Sequence, residues 1–132
     1  MLVEDNPADA KLVREALEEN SVFCELLVIN SGESASQFIK SVDDGVSRCP
    51  DLAIFDLHLP AVPGSELIRQ MRESARCQAA KIAVLTSSDN KRDRDSAASL
   101  GVELYFKKPS RLSEFLELGA IFRDHLQSPN SI

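Results

Sequence analysis

The chain has 132 residues, of which 43% are hydrophobic and 27% are charged, a balance typical of one globular domain with a single core. Its net charge of -6 argues against binding of nucleic acid through a basic surface and against adsorption to anionic membranes. No apolar run approaches the roughly 20 residues that a membrane-spanning helix needs, and the N-terminus lacks the basic and then apolar segments of a secretory signal.

Short apolar runs alternate with amphipathic segments, which is the βα pattern of a parallel sheet with helices on both faces. Residues 1–4 are predicted to form a first strand, clipped relative to the usual length of about 5 residues. Asn6 then caps a helix over 7–20, with proline at its first position. A second strand is predicted over 24–30, and a second helix over 31–43 has apolar residues at the i, i+3, i+4 and i+7 spacing.

The second half of the chain continues the alternation. A third strand over 51–56 is apolar nearly throughout, as expected of a central strand that is buried on both faces. The remaining predicted elements are a helix over 65–75, a strand over 81–86, a polar helix over 90–100, a strand over 103–107 and a helix over 111–126. Five strands and five helices in strict alternation predict an α/β fold, with one domain over 1–127 and a tail over 128–132.

The last predicted helix has a wide apolar arc. Its expected core stripe consists of Leu112, Phe115, Leu116, Gly119, Phe122 and Leu126. Leu118 and Ile121 extend the arc beyond that stripe, which leaves two interpretations open. The extra edge could form a homodimer or partner surface together with the fifth strand, or it could pack within the domain.

The cysteines indicate a reducing compartment. Cys24, Cys49 and Cys77 are odd in number, widely spaced and without a CxxC pair. This pattern argues against a disulfide framework or a zinc site. We therefore expect a cytoplasmic protein.

Charged side chains follow several apolar runs at the point where each run ends. Glu4 and Asp5 follow the first strand, Asp56 follows the third and Lys108 follows the fifth. Parallel strands place these ends at one edge of the sheet, where open α/β folds bind their ligands. Acids held close together raise each other's pKa unless a cation shares the space. A divalent metal such as Mg²⁺, together with a fixed lysine, suits the handling of a phosphoryl group.

Three positions carry a specific chemical hypothesis and an ordinary alternative. Asp56 could be a nucleophile that accepts a phosphoryl group, or only a polar residue at a strand end. The Thr86 hydroxyl could donate to a phosphoryl oxygen, or cap the next helix. Pro109 could form a cis peptide with Lys108 that aims the lysine inward, or Lys108 could simply be solvated.

These segments resemble the receiver domain of two-component response regulators. The matching segments are Val3-Glu4-Asp5-Asn6, Ile54-Phe55-Asp56-Leu57-His58-Leu59-Pro60 with Gly64, Leu85-Thr86-Ser87, and Tyr105-Phe106-Lys107-Lys108-Pro109. They occur in the family's order and spacing over essentially the whole chain. The stretch from Val3 to Leu17 is also similar to a subgroup of stand-alone receivers that work with phytochrome-type sensor kinases.

The resemblance implies a flavodoxin-like, doubly wound sheet of order 2-1-3-4-5 and a site that uses Mg²⁺. Asp56 would be the phosphoacceptor. Asp5 and Asp56 would bind the metal directly, Glu4 would bind it through water, and His58 would contribute its backbone carbonyl.

The resemblance also assigns the residues around the phosphoryl group. Thr86 and Lys108 would hold its oxygens, and Tyr105 falls at the aromatic switch position, where the ring turns inward as Thr86 moves. The side chains of His58 and Ser88 fall at positions that tune how long the phosphoryl group survives.

The expected function is that of a phosphoacceptor switch. A sensor histidine kinase would phosphorylate Asp56, the changed surface would engage a downstream protein, and slow hydrolysis would reset the chain. Three rivals remain. A phosphatase of the haloacid dehalogenase type would need a second Asp where this chain has His58, and a flavodoxin-like cofactor module conflicts with the acidic loop at 4–7. A receiver that no longer takes phosphate would act as a fixed adaptor.

Overall fold

The computed structural model describes residues 1–128, so the predicted tail over 128–132 lies outside the described residues except for Ser128. The strands are β1 (Leu2–Val3), β2 (Val28–Ile29), β3 (Leu52–Phe55), β4 (Lys81–Thr86) and β5 (Leu104–Lys107). The helices are α1 (Pro7–Glu19), α2 (Gly32–Asp43), α3 (Gly64–Glu73), α4 (Lys91–Ser99) and α5 (Leu112–Gln127). The strands are parallel in the order β2-β1-β3-β4-β5, which confirms the predicted fold and topology.

The first two strands are shorter than predicted. Leu2 pairs with Val28 and Val3 with Ile29, and the ladder ends there. Because β2 is an edge strand of the sheet that residues 1–128 form, β1 is its only neighbour there. A β1 of two residues leaves the backbone of residues 24–26 without a strand to pair with, so the prediction of a strand over 24–30 is wrong in length.

Alternation along the strands divides the core into two layers. Val3, Phe55 and Val84 face one side of the sheet and pack with the buried residues of α2 and α3. Their neighbours Leu2 and Ile54 face the other side and pack with α1 and α5. Burial on both faces is why these short strands are apolar throughout.

Helix α5 packs more broadly than its predicted stripe. Its buried residues are Phe115, Leu118, Gly119 and Phe122. Leu118 therefore belongs to the core, whereas Leu112, expected in the core, is 57% exposed, and Ile121 is 39% exposed. The helix is rotated towards α1 because Gly119 lies against the Ala16 carbonyl, where any Cβ would clash.

Helix α4 buries much less. Ala97 is its only buried residue, in agreement with the polar pattern of its sequence. The Asn90 side chain caps the helix by accepting a hydrogen bond from the Asp93 N–H at 2.8 Å. Within residues 1–128, no helix combines the length and apolar character needed to cross a bilayer.

Two of the cysteines are bonded, contrary to the sequence prediction. Cys49 and Cys77 form a disulfide with their Cα atoms 5.6 Å apart, while Cys24 is free and exposed. The partners are 28 positions apart, but they precede the adjacent strands β3 and β4. Segments that lead into neighbouring parallel strands meet at the same edge of the sheet, which the spacing of cysteines along the chain does not reveal.

Candidate functional site

The carboxyl edge of the sheet brings the predicted residues together around Asp56. One oxygen of its carboxylate, Oδ1, accepts hydrogen bonds from the His58 N–H at 3.0 Å and from the Thr86 hydroxyl at 2.9 Å. The other oxygen, Oδ2, lies 3.0 Å from Lys108 Nζ. Asp56 and Thr86 are both buried. Three donors thus converge on one buried carboxylate. The positions of the strand ends predict the approach of Thr86 and Lys108, whereas the hydrogen bond from the His58 N–H was not predicted.

The Lys108 ammonium has two further carboxylate partners. Its Nζ lies 2.7 Å from Glu4 Oε1 and 2.8 Å from Asp9 Oδ2. The contact with Asp9 was not predicted from the sequence. The available signal was weak: Asp9 follows Asp5 by one helical turn, but an acid in the first turn of a helix is common because it favours the helix dipole.

The predicted cis peptide between Lys108 and Pro109 is wrong, since residues 1–128 contain no cis peptide bond. The lysine reaches the site by another route. Its backbone N–H donates to the Thr86 carbonyl at 2.7 Å, which continues the pairing of β5 with β4 by one residue. This extension places the Lys108 side chain over the end of β4 with the peptide in its trans form.

The acidic residues form a cluster suited to a hard cation. Glu4, Asp5 and Asp56 each offer a carboxylate oxygen, and these atoms all lie within 4.8 Å of one another. Asp5 is exposed, whereas the other two are buried. Carboxylate oxygens are the ligands that Mg²⁺ takes in proteins, usually together with water. The donor set fits a divalent ion that is reached from solvent on the Asp5 side.

The pKa values of Glu4, Asp56 and Lys108, the three charged groups at the centre, are shifted from their usual values. Burial raises the pKa of Glu4 to about 7, and repulsion from Asp56 adds to this effect while Lys108 opposes it. Burial alone would also raise the pKa of Asp56, but the His58 N–H and the Lys108 ammonium outweigh it and hold that pKa below its usual value. Burial opposes the charge of Lys108, yet its carboxylate partners raise its pKa. Asp56 and Lys108 are therefore both ionised at neutral pH.

Gly64 keeps the loop after Asp56 close to the site. A Cβ at this position would clash with the Asp56 carbonyl oxygen. The Gly64 N–H donates to the Leu57 carbonyl at 3.1 Å, which draws the start of α3 onto the end of β3. Glycine is required here by the close approach of two backbone segments.

A second group of contacts links the site to α4. The Asp93 carboxylate lies 3.1 Å from His58 Nε2 and accepts a hydrogen bond from the Ser88 hydroxyl at 2.7 Å. The Tyr105 hydroxyl donates to the Ser88 carbonyl at 3.0 Å, and the Arg94 guanidinium lies 4.6 Å from the centre of the Tyr105 ring. Asp93 and Arg94 were not singled out from the sequence because charges in a polar helix resemble an ordinary solvated face.

Comparisons with known proteins agree with this geometry. The family described as "Response regulator receiver domain" matches residues 1–119. Response regulator Rcp1 of Synechocystis sp. is 29% identical over 119 residues, which is 89% of this chain and 81% of that protein.

Two solved structures are similar over nearly the whole chain. The phosphorylated cyanobacterial phytochrome response regulator RcpA superposes with a TM-score of 0.85 at 29% identity, covering 96% of this chain and 91% of that one. The Mn²⁺-bound form of Rcp1 gives 0.84 at 28% identity, covering 97% and 94%. Together with the family match, this likeness shows that the chain belongs to the response regulator receiver domain family.

Proposed function

We propose that Asp56 is the residue on which this chain accepts a phosphoryl group from a histidine kinase. Receiver domains of this family act as phosphoacceptor switches in two-component signalling. The observation that carries the assignment is the convergence of the His58 N–H, the Thr86 hydroxyl and the Lys108 ammonium on the Asp56 carboxylate. The same donors can turn to the oxygens of a phosphoryl group attached there.

The transfer itself needs an ionised carboxylate and a held phosphoryl group. An oxygen of Asp56 forms a bond to phosphorus as the bond from phosphorus to the kinase histidine breaks, and the electron pair of that bond stays on the imidazole nitrogen. The lowered pKa of Asp56 keeps the attacking oxygen ionised. Thr86 and Lys108 would then bind the phosphoryl oxygens and offset their negative charge.

Mg²⁺ is the cofactor that the site favours. We assign Asp5 and Asp56 as its direct ligands, with Glu4 acting through water and the His58 backbone carbonyl completing the protein donors. The clustering of the three carboxylates supports this assignment, as does the Mn²⁺-bound form of the similar protein Rcp1. When bound, such an ion would offset the repulsion between the carboxylate and the incoming phosphate.

The switch is assigned to Thr86 and Tyr105. The Thr86 hydroxyl donates to Asp56, so a phosphoryl group on Asp56 would draw it towards the new oxygens. We propose that the Tyr105 ring then leaves its bond to the Ser88 carbonyl and turns inward. This movement would change the surface formed by α4 and β5, to which a downstream protein would bind.

The kinase partner is proposed to be of the phytochrome type. RcpA, which is 29% identical to this chain, is a phytochrome response regulator by name. The location is proposed to be cytoplasmic on the family membership alone, since the bond between Cys49 and Cys77 removes the cysteine pattern as its support. A homodimer through β5 and α5 is a separate proposal, supported by the edge position of β5 and by the exposure of Ile121. Leu112 adds little to that surface, since nine residues of helix place it opposite Ile121. Sedimentation of a monomer at high concentration, with and without phosphorylation, would count against the dimer.

The test of the phosphoacceptor is incubation with Mg²⁺ and acetyl phosphate, followed by intact mass measurement. The parent is expected to gain one phosphoryl group, and Asp56→Asn none. Asp51→Asn is a matched control, because Asp51 is an exposed aspartate at the opposite end of the same strand, and it should behave as the parent does. Addition to neither the parent nor the control would favour the adaptor function, and addition to Asp56→Asn would reject Asp56 as the acceptor.

A further inference from the structure

One carboxylate oxygen of α4 joins two loops that border Asp56. Asp93 Oδ2 accepts a hydrogen bond from the Ser88 hydroxyl at 2.7 Å and lies 3.1 Å from His58 Nε2. The Asn90 side-chain amide also donates to this oxygen, at 3.2 Å. His58 lies in the loop after β3, two residues beyond Asp56, and Ser88 lies in the loop after β4, two residues beyond Thr86.

This bridge from Asp93 to His58 and Ser88 fixes the His58 side chain, which would otherwise be free to move, whereas the Ser88 hydroxyl also accepts a hydrogen bond from the Asn90 side-chain amide at 2.8 Å. The His58 side chain is 52% exposed and that of Asp93 is 24% exposed. An imidazole this accessible would sample several rotamers if it had no partner. Hydrogen bonds to a carboxylate are among the stronger ones in proteins, so Asp93 holds the ring towards α4. The Ser88 hydroxyl, followed by the His58 ring and the Asn90 amide, lowers the pKa of Asp93, which keeps this carboxylate ionised at neutral pH.

We propose that Asp93 is a positioning residue that sets how long the phosphoryl group stays on Asp56, because it holds His58 and contacts Ser88 in the two loops that follow Asp56 and Thr86. This inference rests on the proposed phosphorylation of Asp56. In the hydrolysis that ends the signal, a water oxygen bonds to phosphorus while the bond from phosphorus to Asp56 breaks. The electrons of the broken bond return to the Asp56 carboxylate, and the proton of the water passes to solvent.

The bridge is expected to slow this step. An in-line attack requires water on the side of phosphorus away from Asp56, and the loops after β3 and β4, which carry His58 and Ser88, leave the sheet next to Asp56 and Thr86. With its ring held by Asp93, His58 can neither swing aside to admit water nor turn inward to orient it. Loss of the bridge permits both movements, and each of them shortens the lifetime.

The bridge from Asp93 to His58 and Ser88 also links the lifetime of the phosphoryl group on Asp56 to the surface of α4. Asp93 is the third residue of α4, and that helix buries only Ala97. A protein that binds α4 and displaces Asp93 would therefore release His58 and remove one hydrogen-bond partner of Ser88. Docking that displaces Asp93 would speed the loss of the phosphoryl group.

The experiment measures the decay of the phosphoryl group. Each protein is phosphorylated with acetyl phosphate and Mg²⁺, freed of the donor, and followed by intact mass over time. Asp93→Ala is expected to lose the group at least about three-fold faster than the parent, the size of effect that one lost hydrogen bond gives. Asp95→Ala is the matched control, since Asp95 lies on the same helix and pairs instead with Lys91 at 3.1 Å; it should decay at the parent rate.

A second comparison separates positioning from a merely structural role. In a chain that already carries His58→Ala and Ser88→Ala, the further change Asp93→Ala should not alter the decay rate, because the residues through which Asp93 acts are gone. Equal rates for the parent and Asp93→Ala, or the same acceleration in both backgrounds, would overturn the inference while leaving the phosphoacceptor assignment intact. Failure of the parent to take up a phosphoryl group would overturn both.

Discussion

The two helices that flank β5 are held to the sheet by different forces. Helix α5 is held by apolar packing: Phe122 is fully buried, and its ring meets that of Phe106 edge-on at 5.9 Å. Helix α4 is held mainly by polar contacts at its first turn. Asp93 bonds to Ser88 and His58, and Arg94 pairs with Asp89 and lies over the Tyr105 ring.

This difference indicates that the α5 side supports the site, whereas α4 is the helix that can respond to a change there. Buried apolar contacts have no substitute in water, whereas exposed hydrogen bonds and ion pairs exchange with water at small cost. The layer under α5 can therefore keep the backbone at Asp56, Thr86 and Lys108 in place while the Thr86 side chain turns and α4 changes its contacts. Elements with few buried contacts lie at the low-stability end of a structure, from which moving parts are drawn.

The largest effect is expected on the α5 side. Phe122→Ala should lower the free energy of unfolding by about 4 kcal/mol, because it leaves a cavity in a layer that cannot close around it. Ala97→Gly, at the deepest position of α4, should cost about 1 kcal/mol, mainly through helix propensity. Ile121→Ala serves as the control on α5, since its partly exposed side chain should cost less than Phe122. If denaturant unfolding showed equal losses of unfolding free energy for Phe122→Ala and Ala97→Gly, the two helices would not differ in how firmly they are held.

A pH effect is expected at the buried side of the site. Burial raises the Glu4 pKa from 4.5 to about 7, so the folded chain holds this proton more tightly than the unfolded chain does. The stability that the proton provides is complete below pH 4.5 and is lost as the pH rises to about 7. The metal-free parent should lose up to about 3 kcal/mol over that range through Glu4.

The variant Glu4→Gln isolates this contribution because it removes the ionisation and keeps the shape. Its free energy of unfolding should lack the fall that the parent shows between pH 5 and pH 8. Glu25→Gln, an exposed glutamate in the loop before β2, should retain the parental profile. Mg²⁺ should reduce the fall in the parent, since it binds the ionised carboxylates. If the free energies of unfolding of the parent and of Glu4→Gln changed with pH in parallel, ionisation of the buried Glu4 would not cost stability.

The sequence predicts best those features that the alternation of strands and helices determines. Parallel strands must end at one edge, so Asp56, Thr86 and Lys108 could be brought together without knowledge of any side-chain conformation. The fully apolar β3 could be placed at the centre of the sheet for a similar reason, since only a strand covered on both faces tolerates that pattern.

The features that the sequence did not predict depend on how elements are rotated and which loops meet. Leu112 is exposed although it was expected in the core, and Leu118, for which two interpretations were open, packs within the domain, because the close approach of α5 to α1 at Gly119 sets the rotation of the helix. The contact of Asp9 with Lys108 joins residues 99 positions apart. The disulfide between Cys49 and Cys77 likewise needs the order of the strands before the two loops can be seen as neighbours.

The smallest expected effect concerns the switch on the α4 side, and the composition of the chain makes it measurable. Tyr105 is the only tyrosine and there is no tryptophan, so the intrinsic fluorescence reports this ring alone. Arg94→Ala removes the cation above the ring, an interaction worth about 0.5–1 kcal/mol at exposed sites. We expect a larger fraction of inward rings in the unphosphorylated variant, seen as weaker quenching of tyrosine emission by acrylamide.

Arg92→Ala tests whether this change is specific to the stacked cation. Arg92 is an exposed arginine on the same helix, so its removal makes the same change in charge without touching the ring. Acrylamide quenching of the tyrosine emission should be the same in Arg92→Ala as in the parent. In Arg94→Ala it should be weaker and closer to the value of the phosphorylated parent. If both variants quench as the parent does, Arg94 does not hold the ring, and the bond from the Tyr105 hydroxyl to Ser88 must keep it outward unaided. In that case the polar contacts of α4 would act on the phosphoryl lifetime through Asp93 but not on the position of the switch.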